Sequence, residues 1–131
     1  MYLLDTNICI YIINNQPKSV VKKICNMDPK DIKISSISVA ELEYGASKSN
    51  RREQNRSALY GFIYAFEILT FNGRDAEIYG IIRAELESKG KLIGPYDMQL
   101  AAQALARDLI FVTNNTAEFV RIKKLKLENW K

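Results

Sequence analysis

Tyr2-Leu3-Leu4-Asp5-Thr6-Asn7 is the stretch that decides the fold. Three apolar residues in a row, with an acid and two capping residue types behind them, read as a short buried strand. That strand delivers a carboxylate to its carboxyl end and runs straight into a helix. A similar pattern recurs near the far end of the chain. Leu109-Ile110-Phe111-Val112 is the clearest strand, and it runs into Thr113-Asn114-Asn115. Ile32-Lys33-Ile34-Ser35 alternates as a strand should, Ile68-Leu69-Thr70-Phe71 is a further candidate, and Leu125-Lys126-Leu127 is a last edge strand.

Helical spacing fills the intervals. Thr6 or Asn7 is read as the cap of a helix from Ile8 to about Asn14, and Pro17 opens a second with Val20, Val21, Ile24 and Cys25 on its apolar positions. Ser36 or Ser38 is read as the cap of the helix that carries Glu41. Ser38-Val39-Ala40-Glu41 also fits a capping box, which would give Glu41 a purely structural role. Leu59, Phe62, Ile63 and Phe66 form one helical face, and Ile78, Ile82 and Leu86 another. Gly90 ends that helix. Gly94-Pro95 opens the next, whose buried face is Leu100, Ala101, Ala104 and Leu105, with Asp97 one turn before them. A short helix with Glu118, Phe119 and Ile122 follows the fourth strand.

Strands alternating with helices indicate an α/β fold: three α/β/α layers around a mostly parallel central sheet. The 131 residues carry no repeat or long linker and are expected to form one domain, 1–131. In such sheets ligands bind beyond the carboxyl ends of the strands. Asp5 and Thr113 to Asn115 stand there, and Glu41 lies just past it. Four scattered acids, Asp5, Glu41, Asp97 and Glu118, are thereby expected at one edge. Carboxylates facing one another need a positive partner, and a hard cation such as Mg²⁺, with Mn²⁺ as substitute, suits an all-oxygen set.

Composition narrows the chemistry. The chain has no histidine, which excludes Ser-His-Asp and Cys-His catalysis and histidine-type zinc sites. Its two cysteines, Cys9 and Cys25, form no CxxC pair and are expected as buried, inert thiols. No apolar run approaches the ~18 residues of a membrane span. The opening Met1 to Asp5 lacks the basic region of a signal peptide, so a cytoplasmic location is expected. The net charge of +4 suits a polyanionic substrate only weakly. Basic residues come in three groups: Lys18, Lys22 and Lys23; Lys48, Arg51, Arg52 and Arg56; Arg121, Lys123, Lys124 and Lys126. Arg51 and Arg52, on a connection after Gly45, are favoured for RNA phosphates, with a solvated face as the rival reading of all three groups. Asp28, Asp31, Asp75 and Asp108 read as turn or cap residues.

Four motifs in order carry a family resemblance: Leu4-Asp5-Thr6-Asn7; Ser38-Val39-Ala40-Glu41-Leu42 with Gly45; Tyr96-Asp97 before Leu100-Ala101-Ala102; and Val112-Thr113-Asn114-Asn115 with Glu118-Phe119. Together they resemble the PIN-domain ribonucleases. With the length and the close at Leu125-Leu127-Glu128-Asn129-Trp130, they resemble most the VapC toxins of VapBC toxin-antitoxin modules. The resemblance implies that Asp5, Glu41 and Asp97 are the core metal-binding acids and that Thr113 positions water or a carboxylate. Many relatives carry an Asp where this chain has Asn115, so either Glu118 or Asn115 supplies the fourth ligand. The resemblance further implies a Mg²⁺-dependent endoribonuclease toxin that hydrolyses RNA, often a structured RNA such as tRNA, and so inhibits translation. It implies a VapB-type antitoxin with a basic side chain near the acids, a toxin homodimer, and operator DNA bound through the antitoxin. The early helices, around Ile12 and Val21, are expected to dock the antitoxin's apolar residues. The rival readings are a housekeeping PIN nuclease for RNA maturation and a non-catalytic nucleic-acid-binding module. A phosphoacceptor domain would need paired acids after the first strand, and Asp5-Thr6-Asn7 does not supply them.

Overall fold

Leu3 and Leu4 are adjacent, and both are fully buried, on opposite faces of one sheet. Successive strand side chains point to opposite faces, so two neighbouring buried leucines require cover on both sides. The computed structural model, which describes residues 1–131, shows that cover. The strands are β1 (Tyr2–Leu4), β2 (Ile32–Ser35), β3 (Glu67–Leu69), β4 (Ile110–Val112) and β5 (Leu127–Glu128). They lie in the order β3-β2-β1-β4-β5, and all four pairings are parallel. The sheet is thus wholly parallel rather than mostly so.

The helices are α1 (Thr6–Ile13), α2 (Lys18–Cys25), α3 (Ser36–Lys48), α4 (Arg52–Tyr64), α5 (Gly73–Ser88), α6 (Pro95–Ala106) and α7 (Thr116–Phe119). On one face Leu4, Ile32, Ile34 and Val112 pack under residues of α1 to α4, with Trp130 closing the edge. On the other, Leu3 and Phe111 pack under α5 and α6, where Leu100, Ala101, Ala102 and Ala104 are fully buried. Small alanines on α6 let it sit close to the sheet. Successive strands step from β1 outward through β2 to β3, then return to the other side of β1 for β4 and β5. The order reverses between β1 and β4, which is where open α/β sheets form their ligand crevice.

Several local features differ from the sequence expectation. Asp5 itself, not Thr6 or Asn7, caps α1, accepting from the Thr6 N–H at 2.8 Å. Ser35 caps α3, accepting from the Ile37 N–H, and the Ser38–Glu41 capping box does not form. In both places the residue at the strand's end is also the helix cap, so each helix begins one or more residues early. The third strand starts at Glu67 and the fifth holds only Leu127 and Glu128. Phe66 falls past the end of α4 but still packs beneath it. Cys9 is buried as expected, while Cys25 is exposed, because it ends α2 on the solvent side of Val20 and Ile24.

Asp75 does more than cap. It forms a capping box with Asn72 at the start of α5, and its fully buried carboxylate meets Arg107 at 2.6 Å. Arg107 also donates to the Thr70 and Gln103 carbonyls, which ties α5, α6 and the end of β3 together. A buried charge stripped of its partner is far costlier than the pair is favourable. Arg107→Met is therefore expected to lower unfolding stability by about 3 kcal/mol in urea titrations, with Asp75→Asn/Arg107→Met recovering part of the loss.

Candidate active site

The parallel pairing of β1 with β4 places Asp5 and Thr113 side by side. The Asp5 N–H donates to the Val112 carbonyl at 2.8 Å, which continues the ladder one residue past β1. Thr113 then donates its hydroxyl to Asp5 Oδ2 at 2.8 Å. The same hydroxyl accepts the Asn115 N–H at 3.0 Å, which turns the chain into α7. Asp5 is 6% exposed and Thr113 fully buried. An ionised carboxylate at that depth is sustained by the donors aimed at it, here Thr113 and the Thr6 N–H.

α3 brings the second acid. Glu41 stands one turn inside the helix, three residues after Ser38, so both share a face. Thr6 Oγ1 donates to Glu41 Oε1 at 2.9 Å and lies 2.8 Å from Ser38 Oγ. Since Thr6 has one proton and gives it to Glu41, Ser38 is the donor of the second bond. Thr6 and Ser38 are therefore site residues, although their sequence positions suggest helix caps. The available signal is a hydroxyl next to Asp5 and another three residues before Glu41.

Asp97 is in the first turn of α6, and its Oδ2 folds back to within 3.4 Å of where a Cβ on Gly94 would sit. A Cβ at Gly94 would touch that carboxylate at ordinary van der Waals distance. Glu118 stands at the edge, where its Oε2 accepts from Asn115 Nδ2 at 2.8 Å. Asp5, Glu41, Asp97 and Asn115 line one cleft of about 550 Å³, together with Thr6, Asn7 and Lys48. Beyond the acids the cleft continues as an apolar groove between α1, α3 and α4, lined by Ile10, Ile13, Leu42, Ala46, Ala58 and Leu59. Arg51 and Arg52 are exposed at the turn from α3 to α4 and do not line it; Lys48 does.

The electrostatics are those of an uncompensated negative site. No lysine or arginine makes an ion pair with any of the four acids. Burial, followed by the charges of Asp5, Glu118 and Glu41, pushes the Asp97 carboxyl up to about 6. Burial also raises Asp5, against the lowering effect of Thr113 and the Thr6 N–H. The carboxylates line one cleft without closing into a three-acid coordination cluster. As a donor set they fit a hard divalent cation: every donor is oxygen, and the excess charge is what such an ion would neutralise. Asp5, Glu41 and Asp97 are the residues able to hold it, with Glu118 or Asn115 at the rim.

An acid raised in the fold takes up its proton more readily there than in the unfolded chain. The contribution of Asp97 to folded-state stability therefore falls as pH rises from the ordinary carboxylate value of 3.8 towards 6, and stays lower above it. In chelator, the melting temperature of Asp97→Asn is expected to gain on that of the wild type as pH rises over that window. A scanning fluorimetry series from about pH 4 to 7.5 reads both.

Known proteins show the family of this chain. A PIN-domain family model matches residues 2–125. The ribonuclease VapC2 of Rickettsia felis is 47% identical over 131 residues, covering 99% of this chain and 98% of its own length. The tRNA(fMet)-specific endonuclease VapC of Shigella flexneri is 43% identical over 129 residues, covering 98% and 97%. Among solved structures, VapBC2 from Rickettsia felis bound to a DNA fragment from its promoter contains a chain that superposes with a TM-score of 0.93 at 45% identity, over 99% of this chain and 98% of that one. DNA-bound VapBC from Salmonella typhimurium superposes equally well, at 42% identity over the same shares. With the motifs, the topology and full-length identity in agreement, the chain belongs to the PIN-domain family, within its VapC ribonucleases.

Proposed function

We propose that this protein is a Mg²⁺-dependent endoribonuclease toxin, a single PIN domain over residues 1–131, held in check by a VapB-type antitoxin. The observation that carries the reading is the cleft where Asp5, Glu41 and Asp97 converge without a basic partner. When bound, Mg²⁺, or Mn²⁺ in its place, supplies Lewis-acid neutralisation of the phosphate and a more acidic bound water. Asp5, Glu41 and Asp97 would hold it, with Glu118 or Asn115 as the fourth ligand.

The chain's own residues do the rest. Thr113 holds the Asp5 carboxylate in one orientation, and Thr6 does the same for Glu41, so neither needs to reorganise when substrate arrives. Ser38 fixes the Thr6 hydroxyl so that its proton points at Glu41. Asn115 holds Glu118 at the rim, beside Asp97. The site hydrolyses an RNA phosphodiester with no imidazole, since carboxylates and the ion cover charge neutralisation and water activation. A tRNA is the favoured substrate, because a relative 43% identical over nearly its whole length carries a tRNA(fMet)-specific endonuclease name. Cutting such an RNA would stop translation.

The partners follow from the same neighbours, which are VapBC complexes, two of them on DNA. A VapB-type antitoxin would lay an apolar segment in the groove of Ile10, Ile13, Leu42 and Leu59 and point a basic side chain at the acids. An arginine fork can engage two carboxylate oxygens together. Ile12 and Val21, the docking residues expected from sequence, are instead half-buried and are not in that groove. The toxin is expected to act as a homodimer in the cytoplasm, with operator DNA gripped by the antitoxin. No helix is long and apolar enough to cross a membrane.

Asp5→Asn, Glu41→Gln and Asp97→Asn are each expected to abolish cleavage of tRNA in Mg²⁺ while keeping a cooperative melt, and EDTA to stop the wild type. Full activity in Asp97→Asn, or cleavage by repurified enzyme in EDTA, would overturn the metal reading. Calorimetric titration with Mn²⁺ ranks the fourth ligand: Glu118→Gln is expected to weaken binding more than Asn115→Ala.

A further inference from the structure

Two exposed tyrosines accompany the acids: Tyr44, 65% exposed, and Tyr96, 58%. Glu41, Tyr44 and Lys48 follow one another at i, i+3 and i+7 on α3, so they share a face, and all three line the cleft. Tyr96 precedes Asp97 in the first turn of α6. Between these two helices lies a second hollow, of about 400 Å³, bordered by Ile37, Ala40, Glu41, Tyr44 and Tyr96. Glu41 and Tyr44 line both spaces, so the hollow and the cleft share a wall.

The chemistry of that wall suits one nucleotide. Apart from Glu41 the hollow is lined by aliphatic and aromatic side chains, and neither tyrosine packs on another aromatic ring of the chain. An exposed aromatic face is what a nucleobase stacks on. Lys48 Nζ lies 4.8 Å over the Tyr44 ring. It is the one basic side chain lining the cleft, and no carboxylate lies within ion-pair distance of it. Its charge is free for a phosphate, next to acids that repel one. The bases of a duplex cover each other's faces, so only an unpaired base can lie on a side-chain ring.

We infer that Tyr44, Tyr96 and Lys48 hold an unpaired nucleotide beside the scissile bond, with its base stacked at the tyrosines and its phosphate on Lys48. The inference rests on the ribonuclease reading above and adds a substrate class to it, RNA that is single-stranded at the cut. The three residues position substrate and take no part in bond breaking, so they set KM rather than kcat. Stacking accepts every base, so this wall selects unpaired RNA without reading its sequence.

The test has a binding arm and a kinetic arm. The full-length Asp5→Asn protein, which leaves the hollow intact, is titrated with a short single-stranded RNA carrying 2-aminopurine and with the same strand paired to its complement. Stacking on a ring quenches 2-aminopurine. The single strand is expected to be quenched at saturation and the duplex not. Tyr44→Ala and Tyr96→Ala are each expected to weaken single-strand binding about tenfold and to restore the fluorescence at saturation. Tyr44→Phe and Tyr96→Phe keep the ring and should keep both signals, which guards against a folding defect. Lys48→Ala should lower the slope of log affinity against log salt by about 0.7. In the cleaving background, with a tRNA transcript, both Tyr→Ala variants should raise KM with kcat within about threefold. Phe variants as weak as the Ala ones would overturn the stack, as would a fall in kcat at constant KM. Unchanged quenching with loss of self-association in sedimentation velocity would overturn it too, and would assign the hollow to a second copy of the chain. If the wild type cuts no RNA in Mg²⁺ or Mn²⁺ and its Asp5→Asn form binds no RNA, the ribonuclease reading fails, and the nucleotide site with it. Normal cleavage by Tyr44→Ala/Tyr96→Ala overturns the nucleotide site alone.

Discussion

Residues 108 positions apart meet in one hydrogen bond, from the Thr113 hydroxyl to the Asp5 carboxylate, and the site is assembled around that contact. It exists because β1 and β4 are parallel neighbours in register, Leu4 beside Val112, so that both strands end at the same level. A parallel pair cannot be joined by a tight turn. The chain between them must cross over, and here it makes two outward strands and six helices before returning. The reversal of strand order at β1 and β4 opens a crevice that no single segment of the chain contains.

Into that crevice the helices deliver acids from their first two turns. This placement has opposing effects. The backbone N–H groups at a helix start favour negative charge, and the Asp5 cap uses one directly. Burial and three like charges work the other way at Asp97, which is why its carboxyl rises to about 6. The second effect wins, so the acids repel one another and a cation of any suitable geometry relieves that repulsion. One physical fact thus links the proposed metal binding, the proposed inhibition by a basic side chain and the expected pH response of the fold. The hydroxyls of Thr6 and Thr113 hold the Glu41 and Asp5 carboxylates in place, with Ser38 bonded to Thr6 behind them.

The two walls of the cleft differ. The α1, α3 and α4 side is apolar and suits a hydrophobic peptide. The opposite side carries Asp97, Asn115 and Phe119.

Much of this is legible in the sequence. Apolar runs ending in Asp5 and in Thr113 mark strands whose carboxyl ends carry chemistry, and the alternation with helical spacing marks a parallel sheet. The absence of histidine leaves carboxylates as the chemical groups. These are local properties: hydropathy period and residue type do not depend on what lies across the fold. Other features do depend on it. Asp5 as cap and site residue at once, Ser35 rather than Ser38 as the cap of α3, and Thr6 as the clamp on Glu41 all turn on which neighbour a short polar side chain reaches, and several lie within range along the chain. Asp75 reads as a cap and is one, yet its buried partner Arg107 lies 32 residues away. Arg51 and Arg52, the basic pair favoured from sequence, stand off the cleft for the same reason, while Lys48 lines it. Charge can be counted along a chain, but whether it faces a cleft is set by helix orientation and loop packing, which only the tertiary structure decides.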